Sequence, residues 1–362
     1  MIPSQLAALE DADNTAVDSF VRDQEFPMVE SGKATFLYRG QAEAVSLRPM
    51  IAGFPGPHSF QQIDGTDLWW LTLSLPEGAR LEYKLEVQRG HYTEWVNDPL
   101  NPLTTSNPFG TNSVCRAHGY QVPSWTLPDA ATSPGTFETM DVAGGNPLQV
   151  YLPPGWDRST PLALLFVHDG GDYLHYGSMG TVLDNLIAGG SIPPVIAAFS
   201  SPLQRLIEYA ASAAHAAYVV EGVLPAIANA YPIGQQRVVM GASLGAVAAL
   251  HAAWTHPGAF SAMLLQSGTF AQSPGWGSAR HVLGPIADLL VRLEPSVLPH
   301  QVFLSCGTYE RMIGENRAMA GRLQRAGLDV RYVESRDGHT WEGWRDRLAE
   351  GLAWVLTGPD DG

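Results

Sequence analysis

The stretch from Arg237 to His251 reads RVVMGASLGAVAALH, an apolar run, a Gly-x-Ser-x-Gly turn and an Ala- and Leu-rich segment. This order predicts a buried strand, a tight turn and a helix, the context in which a strained turn presents a nucleophilic serine. Gly241 and Gly245 suit the turn because side chains at those positions would collide. Ser243 is therefore the candidate nucleophile. The alternative is that its side chain only caps the following helix.

The groups that follow Ser243 come in the order found in α/β-hydrolases, where an acid and then a histidine each stand after a later strand. The strand-like run 301–306 is followed by Glu310, and the strand-like run 330–334 is followed by His339. We predict that His339 is the general base and that Glu310 orients it. The alternative for His339 is a packing role. Rival candidates for the acid are Glu315 and Asp337.

Two backbone N–H groups are predicted to stabilise the oxyanion that such a reaction forms. One belongs to Leu244, at the start of the helix after the nucleophile, and the other to Gly170 in the loop HDGGD at 168–172. An ordinary strand-to-helix turn is the alternative for that loop. The chain has no His-Glu-x-x-His spacing and no standard Gly-rich phosphate loop. We therefore predict no metal and no cofactor.

The periodicity of the sequence changes twice and predicts three segments. Residues 1–25 are acidic and predict an N-terminal arm or helix, whereas 26–125 hold alternating strand-like runs typical of an all-β sandwich. Residues 126–362 alternate short strands with helical stretches, including 211–230 and 341–356, which predicts an α/β domain with a mostly parallel sheet. The aromatic residues predicted to lie in the core of the sandwich, rather than on an exposed sugar-binding platform, are Trp69, Trp70 and Tyr83.

Composition narrows the classes of partner. The formal net charge of −15 argues against nucleic acid and anionic membranes, because both need a basic face. The two cysteines, Cys115 and Cys306, are too few for a disulfide framework and fit a reducing compartment. The first residues show no secretory pattern, and no apolar run approaches membrane-spanning length. We expect a cytoplasmic protein that acts on a small molecule, and its oligomeric state stays open.

Several motifs in one order make the chain similar to the enterochelin (ferric siderophore) esterase family of esterase-D-type α/β-hydrolases. The motifs are DPLNP at 98–102, HDGGDY at 168–173, LDNLI at 183–187, IPPV at 192–195, RLIEY at 205–209, GASLG at 241–245, QSG at 266–268, GTYE at 307–310, ENR at 315–317, GHTW at 338–341 and WR at 344–345.

This resemblance implies an immunoglobulin-like sandwich followed by a serine esterase domain with Ser243, Glu310 and His339 as its triad. It also implies hydrolysis of a catecholate siderophore trilactone in the cytoplasm. Substrate contacts are expected from Arg205, Tyr209 and Trp341. The chain departs from the family at Ile207, where an arginine is expected, and in its acidity, since a ferric catecholate complex is an anion.

Three other functions stay open at this point. The same chemistry could serve a general carboxylic ester or a carbohydrate ester. The chain could be a non-catalytic carbohydrate-binding or scaffold protein, although an intact Ser, acid and His set argues against this. The fold could also support acyl transfer to an alcohol instead of hydrolysis.

Overall fold

The computed structural model describes residues 3–10, 12–51, 53–275 and 277–357, which form two units. The first contains the residues up to Gln121 together with Thr308–Glu310 and Arg336–Thr340. The second contains Val122–Gly307, Arg311–Ser335 and the chain from Trp341 onward. Each predicted segment has residues outside the described ones: 1, 2 and 11 in segment 1–25, residue 52 in segment 26–125, and residues 276 and 358–362 in segment 126–362.

The first unit is built mainly of antiparallel strands. Its elements are α1 (Ser4–Ala7), α2 (Asn14–Arg22), β1 (Met28–Glu30), β2 (Lys33–Arg39), β3 (Ala44–Pro49), β4 (His58–Ser59), β5 (Gln61–Gln62), β6 (Leu68–Ser74), β7 (Arg80–Arg89), β8 (Tyr92–Val96), β9 (Thr104–Asn107) and β10 (Gly110–Arg116). One sheet has the order β1-β2-β6-β5, and the other has the order β4-β3-β7-β10-β9 with β8 paired to β7.

The two sheets share one hydrophobic core. Along β7, Leu81, Tyr83, Leu85 and Val87 alternate with more polar residues, and all four are buried in this core. Phe36 of β2, in the other sheet, meets the ring of Tyr83 edge-on at 5.0 Å. The prediction of an all-β sandwich is confirmed. The predicted core residues Trp69, Trp70 and Tyr83 are all buried.

The second unit is an α/β domain. Its strands are β11 (Thr136–Met140), β12 (Leu148–Leu152), β13 (Leu162–His168), β14 (Val195–Ser200), β15 (Ile233–Ala242), β16 (Ala262–Gln266), β17 (Gln301–Gly307) and β18 (Asp329–Ser335). Its α-helices are α3 (Gly170–His175), α4 (Met179–Ala188), α5 (Arg205–Glu208), α6 (Ala213–Ala217), α7 (Leu224–Ala230), α8 (Leu244–Thr255), α9 (Arg280–Arg292), α10 (Ile313–Arg325), α11 (Trp341–Arg345) and α12 (Leu348–Leu356).

These strands form one sheet in the order β11-β12-β14-β13-β15-β16-β17-β18. The hairpin of β11 and β12 is antiparallel, and the strands from β14 to β18 pair in parallel. Both faces are covered: Leu164 and Phe166 of β13 lie in one hydrophobic cluster, and Leu165 and Val167 lie in the other. The carboxyl ends of the parallel strands therefore meet at one edge, as in an α/β-hydrolase.

Two predicted helices differ from the structure. The predicted helix 341–356 is in fact two helices, α11 and α12, which are separated by the two residues between Arg345 and Leu348. The predicted helix 211–230 begins at Ala213 and contains a π-helical segment, Tyr218–Val223, between α6 and α7. Pro225 in the first turn of α7 lacks the N–H that would continue a regular α-helix. Within the described residues, no helix is both long and apolar enough to cross a membrane.

Candidate active site

Ser243 lies between the end of β15 and the start of α8, in a strained backbone conformation. Its φ is +58° and its ψ is −119°, a region that non-glycine residues rarely occupy. A Cβ at Gly241 would overlap the backbone of Gly245. Ser243 makes no side-chain cap to α8. The helix-cap alternative is therefore wrong.

The Ser243 backbone and hydroxyl are held by the neighbouring strand. Its N–H donates to the carbonyl of Gln266 at 2.9 Å, and its carbonyl accepts from the N–H of Thr269 at 3.2 Å. The Ser243 Oγ lies 3.3 Å from the Thr269 Oγ1. The amide of Asn316, which is fully buried, bonds both the N–H and the carbonyl of Gly268 at 2.9 Å. Sequence reasoning missed Thr269, although its position just after β16 was a usable signal.

The loop after β13 packs against this turn. A Cβ at Gly245 would lie 3.2 Å from the Asp169 Oδ2 and 3.3 Å from the Cβ of His168. Asp169 has a positive φ of 52°, and a Cβ on Gly170 would lie 2.5 Å from the backbone of Phe199. Glycine at 170 thus permits the loop to pack closely against the end of β14.

Gly170 and Leu244 each begin a helix at the carboxyl end of a strand, α3 after β13 and α8 after β15. β13 and β15 are neighbours in the sheet. Backbone N–H groups in the first turn of a helix have no partner within that helix. The two N–H groups predicted to bind an oxyanion are therefore of the right type and come from neighbouring positions at the sheet edge.

Arg205 braces the loop after β13. Its guanidinium donates to both carboxylate oxygens of Asp169, at 2.8 and 2.7 Å. Burial lowers the pKa of Arg205, but the Asp169 carboxylate outweighs this effect and the pKa is raised. The charge of Arg205, predicted to bind substrate, is therefore already matched by a carboxylate.

Tyr209 is fully buried, and its hydroxyl accepts the Asp169 N–H at 3.0 Å. Burial raises the pKa of Tyr209 well above its usual range, so its hydroxyl stays protonated. Because the side chain has no exposed surface, the prediction that it contacts substrate is corrected to a supporting role under the loop. Trp341 is half-buried and packs edge-on against Tyr173 at 5.2 Å and Trp344 at 4.8 Å.

His339 and Glu310 belong to the first unit, in the two short segments that follow β18 and β17. The His339 Nδ1 lies 2.7 Å from the Glu310 Oε2. The Glu310 side chain is 1% exposed and that of His339 is 31% exposed. A carboxylate can only accept hydrogen bonds, so Nδ1 carries the proton, and in the neutral ring Nε2 is the accepting nitrogen.

The rival carboxylate Asp337 has different partners. It lies 3.4 Å from the guanidinium of Arg80, and its Oδ1 accepts the N–H of Gly338 at 2.7 Å. Arg80 is on β7 and its side chain is 0% exposed. Nothing in the sequence distinguished this arginine from others in the strand-like runs. The carboxylate bonded to His339 is that of Glu310.

The chain is similar in sequence to known esterases. Residues 145–355 match the model of a family described as putative esterase. The iron(III) enterobactin esterase of Dickeya dadantii (strain 3937) is 26% identical over an alignment of 405 positions, which covers 92% of this chain and 91% of the relative.

Among solved structures, the ferric enterobactin esterase from Salmonella typhimurium superposes with a TM-score of 0.77 at 19% identity, covering 94% of this chain and 98% of that one. The enterobactin esterase from Shigella flexneri, solved in the presence of enterobactin, gives a TM-score of 0.76 at 21% identity, with 95% and 99% covered. At these identities the structures show a common fold.

Proposed function

Because this chain belongs to the putative esterase family and is a carboxylic ester hydrolase, we propose that Ser243, His339 and Glu310 are its catalytic triad. The observation that carries this proposal is the 2.7 Å hydrogen bond from the His339 Nδ1 to the buried Glu310 carboxylate. That bond selects the tautomer in which Nε2 can accept a proton from a serine hydroxyl.

The order of the strands supports the same grouping. Ser243 directly follows β15, Glu310 is three residues beyond the end of β17, and His339 is four residues beyond the end of β18. All three strands run parallel in one sheet. The nucleophile, the acid and the base thus follow three parallel strands of one sheet, in the chain order typical of α/β-hydrolases.

The reaction then proceeds by acyl transfer through the serine. His339 accepts the proton of Ser243 as the hydroxyl attacks the ester carbonyl, and the N–H groups of Leu244 and Gly170 stabilise the oxyanion. His339 returns the proton to the leaving alcohol. Water then attacks the acyl-enzyme while His339 takes its proton, and His339 returns that proton to the Ser243 oxygen as the acid product leaves; Glu310 orients the imidazole in both steps.

We propose a catecholate siderophore trilactone as the substrate. The name of the Dickeya dadantii relative, an iron(III) enterobactin esterase, supports this class. The buried thiols of Cys115 and Cys306, which form no disulfide, are consistent with the predicted cytoplasmic location. Hydrolysis of the lactone esters would open the ring of the siderophore and weaken its binding of iron.

An uncharged ester is the second candidate, because the segment beside the loop after β13 is apolar. Leu203, Leu206 and Ile207 are 60%, 59% and 65% exposed. The segment is tied to that loop by a hydrogen bond from the Gly171 N–H to the Ser201 Oγ at 3.2 Å, and by the pairing of Arg205 with Asp169. Such a surface suits an aromatic or aliphatic group better than a ferric catecholate anion.

The deciding experiment compares three substrates on the wild-type protein and on Ser243→Ala: a p-nitrophenyl ester, an iron-free catecholate trilactone and its ferric complex. The proposal expects hydrolysis of a trilactone, complete loss in Ser243→Ala, and labelling of Ser243 by a fluorophosphonate. Hydrolysis of the p-nitrophenyl ester with neither trilactone cleaved would favour the second candidate. Full activity of Ser243→Ala would refute the triad.

A further inference from the structure

In the first unit, a buried charged cluster joins the strand β7 to the segment Arg336–Thr340. Side-chain exposure is 0% for Arg80, 5% for Glu82 and 8% for Asp337. We propose that Arg80 is a positioning residue for His339, which acts by holding the turn Asp337–Thr340. This inference rests on the proposed role of His339 as general base, and it goes beyond it by assigning a catalytic purpose to a residue of the β-sandwich.

Arg80 contacts the turn on both sides of His339. Its Nη1 lies 3.4 Å from each carboxylate oxygen of Asp337 and donates to the Thr340 Oγ1 at 3.2 Å. Its backbone N–H donates to the carbonyl of Arg336 at 3.1 Å. One residue of β7 is thus bonded to three residues of the segment Arg336–Thr340, which contains His339.

The turn is also closed on itself through Asp337. The Asp337 Oδ1 accepts from the Gly338 N–H at 2.7 Å and from the Thr340 Oγ1 at 3.2 Å. A Cβ at Gly338 would overlap the side chain of Ile51, so the turn has no room to move in that direction. Its position therefore depends on where the Asp337 carboxylate is held.

Asp337 also links the segment that holds His339 to the segment that holds Glu310, through its backbone carbonyl. The Asp337 carbonyl accepts the N–H of Tyr309 at 3.1 Å, and Tyr309 immediately precedes Glu310. A Cβ at Gly53 would overlap the Tyr309 carbonyl, which shows that this segment too is packed closely. A shift of Asp337 would therefore disturb both partners of the His339–Glu310 hydrogen bond.

Charge explains why an arginine is needed at this position. Its guanidinium serves two carboxylates at once: Nη2 donates to the Glu82 Oε1 at 2.8 Å while Nη1 faces Asp337. The second oxygen of Glu82 accepts from Asn112 at 2.9 Å. Without the guanidinium, two buried carboxylates would lose their common cation, and relaxation of the turn is the direct way to rehydrate Asp337.

The test compares Arg80→Met, Arg80→Lys and Asp337→Asn with Arg89→Met as the matched control. Arg89 is also on β7 but pairs with Glu94 and the Tyr38 hydroxyl, away from the turn. Hydrolysis of p-nitrophenyl butyrate is measured well below the unfolding temperature of each variant. Because misplacement by about 1 Å costs about a hundredfold, we expect Arg80→Met to lower kcat by about that factor with little change in KM.

Arg80→Lys should lose less than Arg80→Met, and Arg89→Met should keep kcat. A purely structural role would lower thermal stability but leave kcat unchanged, so the sharper readout uses a His339→Ala background. There, Arg80→Met should cause no further loss of the residual activity, because its effect passes through the imidazole.

The two proposals fail differently. Full activity of His339→Ala would refute the proposed triad itself. If His339→Ala is inactive while folded Arg80→Met keeps wild-type kcat, or if Arg80→Met lowers the residual activity of His339→Ala equally, the positioning role is overturned. If Arg80→Met does not fold, Asp337→Asn and Arg80→Lys decide by the same criteria, since both keep the size of the side chain.

Discussion

Replacing Glu310 with glutamine tests the acid of the proposed triad most directly. The substitution keeps the shape of a side chain that is 1% exposed but removes its charge, 2.7 Å from the His339 Nδ1. When His339 takes up a proton, its positive charge and the carboxylate are about 4 Å apart, and at an effective dielectric constant of about 20 they attract by about 4 kcal/mol. Loss of that attraction in the transition state lowers kcat roughly a thousandfold. The glutamine NH₂ would also favour the wrong tautomer.

The assay is steady-state hydrolysis of p-nitrophenyl butyrate, with urea unfolding to show that the variant is folded. KM should change little, because the carboxylate does not touch the substrate. Glu310→Asp is the control: it keeps the charge and should retain more activity than Glu310→Gln, despite its shorter reach. If folded Glu310→Gln kept more than about a tenth of the wild-type kcat, Glu310 would not be stabilising the imidazolium and the reasoning would be refuted.

Three further predictions concern the supporting structure. Gly241→Ala should lower the free energy of unfolding by about 1–3 kcal/mol and abolish fluorophosphonate labelling, because its Cβ would overlap the Gly245 backbone. Gly245→Ala should lower the free energy of unfolding by less, because its Cβ would meet only side-chain atoms, at 3.2 Å. Asn316→Ala should cost about 3 kcal/mol in urea unfolding, since it strands the buried N–H and carbonyl of Gly268, and an unchanged midpoint would contradict this. Burial lowers the pKa of His251 to about 4, so between about pH 6.5 and pH 4 the unfolded chain binds a proton that the folded chain does not. The free energy of unfolding should therefore decrease as the pH is lowered through this range. In His251→Gln this decrease should be smaller.

Much of the site could be predicted because the chemistry follows the chain order. Each member of the proposed triad comes after a strand-like run: Ser243 follows its run at once, and Glu310 and His339 follow theirs by three and four residues. Parallel strands bring their carboxyl ends to one edge whatever the intervening helices do. The same logic gave Leu244 and Gly170 as helix-start donors. The family resemblance added the substrate class.

Tyr209 shows where this kind of reasoning fails. Tyr209 and Arg205 belong to the same motif, RLIEY, and the resemblance predicts that both contact the substrate. A four-residue helix, Arg205–Glu208, turns the Tyr209 side chain inward beneath Asp169 and matches the charge of Arg205 with the Asp169 carboxylate. Whether a side chain near a site faces the ligand or supports the loop depends on local helix rotation, which composition does not encode.

Periodicity and motif order are local properties of the chain, and they are enough to predict the two kinds of fold, the nucleophile turn and the candidate acid and base. The pairing of one carboxylate with His339 and of the other with Arg80 becomes visible only in the folded protein. Glu310 and Asp337 both follow strands at similar spacing, so their partners depend on residues far away in sequence. Arg80 precedes Asp337 by 257 positions, and no local pattern could reveal that contact.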